Sequence, residues 1–347
     1  MDELQLLREM RRDVGTPPQA TLARGRNKLV NRVESKIKAA NRRGGWKTLT
    51  KRAGFATTAA AVLVAGFVVA DVTGESPRPG AAAEAAEILD NAAATTIKTS
   101  DPAVKPGQFL KVDTKAVYAS TTTRADGTAV SWLDTTGGQV YIPGDLSGEW
   151  VWNREPRVPA TFFGEESKAE AERLMEAMKT ENSGPQLEGI LRGKGGDFYG
   201  SPQRILDMPL PEAVKTLPRE PQALLDLIYL KTKGKGPSAE KEALTTIASS
   251  LRTGVIPADL RAAMYKAAAL IPGVVVADKQ ATLDGRQGIA LGVAWAGGKF
   301  REDIIIDPAT GLLIGERTVY LVAESGIPAN TASSWTAVRT SVVDSAP

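Results

Sequence analysis

Residues 53–70 form the longest stretch of this chain without a charged side chain, and this stretch limits what the rest can be. Eighteen helical residues extend about 27 Å at about 1.5 Å each, close to the roughly 30 Å hydrocarbon core of a bilayer. The two polar side chains, Thr57 and Thr58, can bond to carbonyls of their own helix. We predict a transmembrane helix over 53–72; the alternative is the core helix of a soluble protein, which usually keeps a polar stripe.

A cleaved signal peptide is the second alternative. Secretory signals occupy the first 15–30 residues or so and begin with a short basic region. Here 52 residues precede the apolar run, which argues against a secretory signal. Val68 and Ala70 resemble the small residues of a cleavage site, so processing after Ala70 stays open. We predict an anchor that is not cleaved.

Charge is distributed unevenly around this run. Residues 1–52 hold 14 Lys and Arg against 5 Asp and Glu, whereas the remainder holds 29 against 35. Basic residues beside a span stay in the cytoplasm. Five of them crowd the N-terminal flank of the run, namely Arg42, Arg43, Lys47, Lys51 and Arg52. We therefore predict a single-pass protein of the cell membrane with a cytoplasmic N-terminus and an extracytoplasmic C-terminal domain.

The composition excludes several kinds of chemistry. The chain contains no cysteine, so it has no disulfides, thiolate metal sites or cysteine nucleophiles. It also contains no histidine, which excludes a Ser-His-Asp triad and a zinc module of the His/Cys type. We expect no enzymatic activity, no cofactor, no bound metal and no direct contact with nucleic acid.

The chain divides into four segments. A basic helical segment over 1–52 precedes the span over 53–72, and a Pro/Gly linker over 73–80 follows it. The remaining residues, 81–347, are numerous enough to bury a core of their own. We predict that they form the extracytoplasmic domain.

The cytoplasmic segment has two interpretations. Its two amphipathic stretches, separated by "GTPP" at 15–18, are too short to bury a core alone. In one interpretation they lie on the membrane surface and serve only as an anchor. In the other they insert into the groove of a partner protein. The candidate contact residues on their apolar faces are Leu4, Leu7, Met10, Leu22, Leu29 and Val33.

The extracytoplasmic domain shows helical and strand patterns in blocks. Residues 81–96 have a helical composition, and 108–120 alternate apolar and polar residues with a period of two. The stretch 166–270 is predicted to be helical, and strands return from 288 onwards, with a hairpin around "DPATG" at 307–311. This order predicts an α+β fold in which helices cover an antiparallel sheet.

Several motifs resemble catalytic signatures but have simpler explanations. The glycine-rich stretch 192–200 lacks the phosphate-loop spacing and is predicted to be a mobile surface loop. Ser238 and Lys241 share the S-x-x-K spacing, but Ser238 is predicted to cap a helix. Asp303 and Asp307 could form a carboxylate pair; we interpret them as a solvated strand end and a turn residue. Core packing, with a ligand groove as the alternative, is predicted for Trp132, Trp150, Trp152, Trp295 and Trp335.

The sequence as a whole resembles a group of uncharacterised actinobacterial single-pass membrane proteins that are often encoded near extracytoplasmic-function sigma factors. The resemblance rests on the span and on four stretches: "MDELQLLREMRRDV", "DPAVKPGQFLKVDT", "PADLRAAMYKAAALIPGVVV" and "IIIDPATGLLIGERTVY". The order of elements is also similar in layout to the LolA/RseB type of lipoprotein carriers and anti-sigma regulators. That similarity implies a curved sheet in the form of an open half-barrel.

The resemblance implies a membrane-anchored sensor or regulator of the anti-sigma type. Its outer domain would sense a signal in the envelope, and its inner segment would contact a sigma factor or another cytoplasmic protein. The chain departs from the zinc-binding anti-sigma pattern because it lacks His and Cys. The alternative function is a membrane-anchored binding or carrier module for lipid-like ligands of the envelope, in which residues 1–52 only anchor.

Overall fold

The computed structural model describes residues 80–99, 101–124, 126–180 and 188–347. The predicted cytoplasmic segment, span and most of the linker lie outside the described residues. Within the described ranges, no helix has both the length and the apolarity that crossing a bilayer requires.

The described residues form an α+β domain of six helices and twelve strands. The helices are α1 (Ala83–Lys98), α2 (Glu165–Thr180), α3 (Leu210–Thr216), α4 (Pro221–Thr232), α5 (Ala239–Arg252) and α6 (Ala258–Ala269). The strands are β1 (Phe109–Thr123), β2 (Ala129–Pro143), β3 (Glu149–Arg154), β4 (Val158–Phe162), β5 (Gly189–Lys194), β6 (Arg204–Ile205), β7 (Met208–Pro209), β8 (Val274–Leu283), β9 (Arg286–Trp295), β10 (Phe300–Ile306), β11 (Leu313–Tyr320) and β12 (Thr331–Val343).

Ten of these strands form one sheet in the order β5-β3-β2-β1-β12-β11-β10-β9-β8, with β4 also paired to β2. Every pairing is antiparallel. The strands β6 and β7 form a separate two-stranded ribbon. The predicted α+β class with an antiparallel sheet is confirmed. Because β1 pairs with β12, the first and last strands of the domain lie together in the centre of the sheet.

Alternation along the strands places the core on one side of the sheet. In β1, Leu110 and Val112 are buried against the helices, as the period-two pattern predicts. Lys111 and Asp113 point to the other side, where their side chains form an ion pair at 3.1 Å. We call the side of the sheet that contacts the helices the helix face, and the other side the opposite face.

The main core fills the space between the helix face and the helices. The helix α6 lies at its centre, because eight of its twelve residues are buried and Tyr265 is wholly inaccessible. Small residues on α1 and α6 let these two helices approach closely. They include Ala85, Ala93, Ala267 and Ala268, all fully buried.

A smaller core lies on the opposite face. It consists of Ala281, Leu283, Ala290, Ile305, Ile314 and Ala337. The turn between β8 and β9 bends over this cluster, so that Asp284 accepts a hydrogen bond from Lys115 of β1 at 3.0 Å and lies 3.7 Å from Arg339 of β12. Two register shifts in β8, around Asp278, allow this bend because bulges increase strand twist.

The helices predicted within 166–270 are present as α2, α4, α5 and α6, but the prediction that this region is helical missed the strands in its middle. The strands β5, β6 and β7 occupy parts of 189–209, and only then does the helical series continue. Strand β8 falls outside the predicted strand blocks as well. Its register shifts interrupt the alternation on which a strand prediction depends.

Candidate functional site

A cleft of about 280 Å³ lies where β1 begins and β2 ends. Leu110 and Ile142, which are partners in the β1–β2 register, supply apolar side chains to it. Further apolar lining comes from three loops, through Val104, Leu146 and Val255. The cleft is therefore suited to an apolar group rather than to a charged one.

The position of one wall depends on Gly254. This residue ends the turn after α5 with a φ of +73°, a conformation that favours glycine. A Cβ at this position would also lie 2.8 Å from a methyl carbon of Thr340 and 3.1 Å from one of Val112. Glycine thus lets the 254–257 loop approach the sheet closely enough to form the cleft wall.

The charged residue that lines the cleft, Asp101, already forms hydrogen bonds to α6. Its Oδ2 accepts a hydrogen bond from the backbone N–H of Ala258 at 2.8 Å, at the start of α6. Its Oδ1 accepts from Nη2 of Arg261 at 2.7 Å. Arg261 in turn donates to the carbonyl of Ile256 at 2.6 Å and to the hydroxyl of Thr96. This network fixes the loop and leaves the cleft mainly apolar.

Two carboxyl groups, one buried and one half-buried, lie on the helix face under α5. Glu302 of β10 is 5% exposed, and its Oε2 accepts a hydrogen bond from the hydroxyl of Thr318 at 2.8 Å. Glu316 of β11 pairs with Nη1 of Arg252 at 2.5 Å. Burial raises the pKa of Glu302 to about 7 and also raises the pKa of Glu316.

A further buried carboxylate, Asp303, lies on the opposite face. It has no exposed surface, its Oδ1 accepts from Nε of Arg301 at 2.6 Å, and its Oδ2 accepts from Nε of Arg317 at 2.8 Å. The prediction of a solvated strand end at Asp303 was wrong, because strand pairing places it between two arginines. A side chain at Gly292 of β9 would collide with the Asp303 carboxylate, so glycine is required there.

Two local predictions are confirmed. Asp307 accepts hydrogen bonds from the N–H of Ala309 and the hydroxyl of Thr310, both at 2.9 Å, within its own turn. Ser238 caps α5 by accepting from the N–H of Lys241 at 3.1 Å. Asp303 is therefore bound by arginines and Asp307 by its own turn. The two do not form a carboxylate pair, and neither is free for acid–base chemistry.

The glycine-rich stretch 192–200 is partly regular structure, so the prediction of a mobile loop was wrong for 192–194. These residues end β5, and Gly196 then packs against the ring of Trp150 with a φ of +73°. Trp150 and Trp132 are buried in the core as predicted. The other strand tryptophans, Trp152, Trp295 and Trp335, are half-buried.

The residues predicted to contact a partner or to set topology lie outside the described residues, and their roles stay predictions. They are Leu4, Leu7, Met10, Leu22, Leu29, Val33, Arg42, Arg43, Lys47, Lys51 and Arg52. Among the described residues, no three His, Cys, Asp or Glu side chains cluster in a way that could hold a metal ion.

Sequence reasoning missed Glu302, Glu316 and the cleft. Glu302 did carry a signal, because it precedes the core residue Ile304 on the helix face of β10. Glu316 carried no such signal, because it is followed on that face by the polar Thr318. The cleft had no such signal. Its lining comes from residues near 104, 142 and 255, which are distant in sequence.

No protein-family model and no curated protein matches this chain. Among solved structures, the chain is similar to the complex of Pseudomonas aeruginosa MucA/MucB, with 8% identity over 76% of this chain and a TM-score of 0.22. It spans 59% of the length of that chain. A DUF1329 family protein from Desulfovibrio piger is 9% identical over 74% of this chain and 92% of its own, with a TM-score of 0.18. At these TM-scores neither similarity carries an argument about fold or function.

Proposed function

We propose that this protein is a membrane-anchored sensor or regulator of the cell envelope, of the anti-sigma type. In this proposal the domain over 81–347 is extracytoplasmic and binds a lipid-like ligand, its sheet acting as an open half-barrel. Residues 1–52 contact a sigma factor or another cytoplasmic protein. The proposal assigns binding and no catalysis to the chain.

The observation that carries the proposal is the apolar cleft at the start of β1. Each methylene group moved from water into an apolar site contributes about 0.8 kcal/mol. A segment of about five methylenes would therefore gain about 4 kcal/mol in a site such as this. At about 280 Å³ the cleft is slightly below the usual range of small-molecule sites, which fits part of an acyl chain better than a whole lipid.

The experiment that tests ligand binding uses the full chain in lipid nanodiscs and a photoreactive long-chain fatty acid. After irradiation, labelled peptides are identified by mass spectrometry. We expect labels in peptides that contain Val104, Leu146 or Val255, which line the cleft. Labels confined to the predicted span would contradict a ligand site in the folded domain.

A matched pair of variants sharpens this experiment. Val255→Phe places a larger side chain in the cleft, and we expect it to lower cleft labelling by about tenfold, equivalent to about 1.4 kcal/mol. Val275→Phe makes the same change on β8, where the side chain is 42% exposed and does not line the cleft. Equal labelling in both variants would show that the cleft is not the site.

The carrier module is the second candidate function, and the same apolar cleft favours it. The two functions differ in what residues 1–52 do. A peptide of residues 1–50 is used to capture proteins from a detergent-free cytosolic extract, with and without Leu4→Asp and Leu7→Asp. A sigma factor retained by the native peptide and lost with the double variant supports the regulator. Salt-sensitive binding to anionic vesicles, with no captured sigma factor, supports an anchored carrier.

A further inference from the structure

Glu302 is a buried carboxyl group without a cationic partner. It lies on the helix face of β10 with 5% of its surface exposed. Its hydrogen bond comes from the hydroxyl of Thr318, its register partner in β11, at 2.8 Å. Among the described residues no lysine or arginine nitrogen lies within ion-pair distance of it. A buried carboxylate with a single neutral donor is costly, so the neutral acid is favoured there.

A second, half-buried carboxyl group adds to this cost. Glu316 lies on the neighbouring strand and on the same face, two register pairs from the Glu302–Thr318 pair. Its Oε1 pairs with Arg252, whereas its Oε2 is buried without a hydrogen-bond partner. The negative charge of Glu316 acts against a second negative charge on Glu302.

The helix α5 covers both groups and supplies the nearby charges. It packs on β9, β10 and β11. Its Lys241, which pairs with its neighbour Glu242 at 3.4 Å, favours the ionised form of Glu302 but does not reach it. Arg252, at the other end of α5, is held by Glu316 and lies 3.3 Å from the hydroxyl of Thr336 on β12.

The remaining neighbours of Glu302 do not supply a balancing charge. Its partner in β9 is the apolar Val293. The next residue of its own strand, Asp303, points to the opposite face, where Arg301 and Arg317 bind it. Burial is the main reason that the folded chain holds a proton on Glu302 up to about pH 7, well above the ordinary pKa of 4.5.

We propose that Glu302 is a proton switch that controls how tightly α5 docks on the sheet. The neutral acid stays buried beneath α5. Loss of its proton places a second negative charge near Glu316, and this repulsion weakens the packing of α5 on the sheet. The switch is a property of the described domain and does not rest on the ligand, partner or topology proposed above. In an outer domain, it would make α5 responsive to the acidity of the envelope.

The direction of the effect follows from proton linkage. Where α5 is open, Glu302 has its ordinary pKa of 4.5; where α5 is closed, it keeps its proton to about pH 7. The closed form therefore binds more protons between these values. The stability of the closed form relative to the open form is greatest below pH 4.5. It falls as the pH rises from there to about 7 and is constant above that.

The experiment measures the opening of α5 by the rate at which a thiol reagent labels a cysteine at a buried position of that helix. The native chain contains no cysteine, so only the introduced thiols react. Ser250→Cys introduces a thiol at a position that is 3% exposed, where the serine hydroxyl bonds only to the carbonyl of Thr246 in its own helix. Ala223→Cys introduces a reference thiol at an exposed position of α4. The ratio of their labelling rates in the full chain removes the pH dependence of the reagent.

We expect this ratio to rise roughly tenfold or more between pH 5.5 and pH 8. With Glu302→Gln, which cannot ionise, the rise of the ratio with pH should be much smaller than in the native chain. Glu149→Gln, the same change at an exposed position, should keep the full pH dependence. A ratio that is independent of pH with Glu302 present, or one that rises equally with Glu302→Gln, would overturn the proposal.

An independent measurement decides the question if Glu302→Gln does not fold. The infrared carbonyl band of a protonated carboxyl group should be present in the folded native chain at pH 6, where ordinary carboxyl groups are ionised, and absent at pH 8. Absence of that band at pH 6 would overturn the proposal without any variant.

Discussion

Glu302 and Asp303 are consecutive residues of β10, yet their carboxyl groups are buried on opposite faces of the sheet in different ways. Asp303 lies between Arg301 and Arg317 and accepts hydrogen bonds from both guanidinium groups. Glu302 has one hydroxyl donor and lies near a second carboxylate, Glu316. A buried carboxyl group can thus be stabilised by ion pairing or by keeping its proton, and one strand uses both solutions.

The two solutions respond differently to conditions. The Asp303 site joins one carboxylate to two guanidinium groups, and the carboxylate raises the pKa of Arg301. Its contribution therefore depends on keeping all three partners. The Glu302 site depends on pH, because burial has moved its pKa to about 7. We therefore expect variants of Asp303 to have large effects at every pH near neutrality, and variants of Glu302 to have effects that change with pH.

The largest effect is expected for Asp303→Asn. This change removes the carboxylate that Arg301 and Arg317 share and leaves Arg317 with only Asp278 at 3.8 Å, and breaking a buried ion pair costs about 3–5 kcal/mol. The free energy of unfolding by urea should fall by about that amount. Asp90→Asn, at an exposed position of α1, is the control and should change it by less than about 0.5 kcal/mol. Equal effects at the two sites would show that the Asp303 ion pairs contribute little.

The next largest effect is expected for Glu302→Gln, and it should be stabilising. The difference between an ordinary pKa of 4.5 and about 7 corresponds to about 3 kcal/mol at 1.36 kcal/mol per unit. The neutral glutamine avoids this cost, so unfolding at pH 8 should require about 2–3 kcal/mol more than in the native chain. At pH 4.5 or below the gain should disappear, since Glu302 is then protonated in both states. A gain of the same size at both values of pH would contradict a titrating Glu302.

Thr318→Val removes the hydroxyl that donates to Glu302 while keeping the shape of the side chain. A hydrogen bond to a charged group contributes about 1.5–3 kcal/mol, and one to a neutral group about 1 kcal/mol. We therefore expect a loss of about 1.5 kcal/mol at pH 8 and a smaller loss at pH 5, measured by urea unfolding. A larger loss at pH 5 would mean that the hydroxyl serves the neutral acid instead.

The smallest effect is expected for Ser238→Ala, at the start of the helix that covers Glu302. The serine side chain caps α5, and loss of such a cap costs about 1 kcal/mol. This loss should be the same at pH 5 and pH 8, because the cap does not involve a titrating group. Ser238→Asp, which can also cap, should restore the stability. A loss that grows with pH would indicate that the cap and Glu302 are coupled.

The predictions from sequence succeeded where local interactions decide the structure. The alternation of β1 identified Leu110 and Val112 as core residues, because side chains of a strand point to its two faces in turn. The roles of Ser238 and Asp307 were also predictable, since each bonds to backbone groups within three residues.

The failures depend on contacts between distant residues. The burial of Asp303 requires Arg317 on the next strand and space opposite Gly292, and neither follows from the residues around Asp303. The same holds for Glu302, which is buried because α5, some fifty residues earlier, covers it. The cleft joins three loops through tertiary packing alone, so no local pattern marks it.

A sensor that connects the envelope to a cytoplasmic partner requires residues 53–72 to separate the two compartments, and reporter fusions measure this most directly. A reporter active only outside the cytoplasm is fused after Ala70, and one active only inside is fused before Arg42. Both should be active, and neutral replacements of Arg42, Arg43, Lys47, Lys51 and Arg52 should weaken this orientation, because basic flanks set it. A cytoplasmic reporter that is active when fused after Ala70 would contradict a sensor with its folded domain outside the cell.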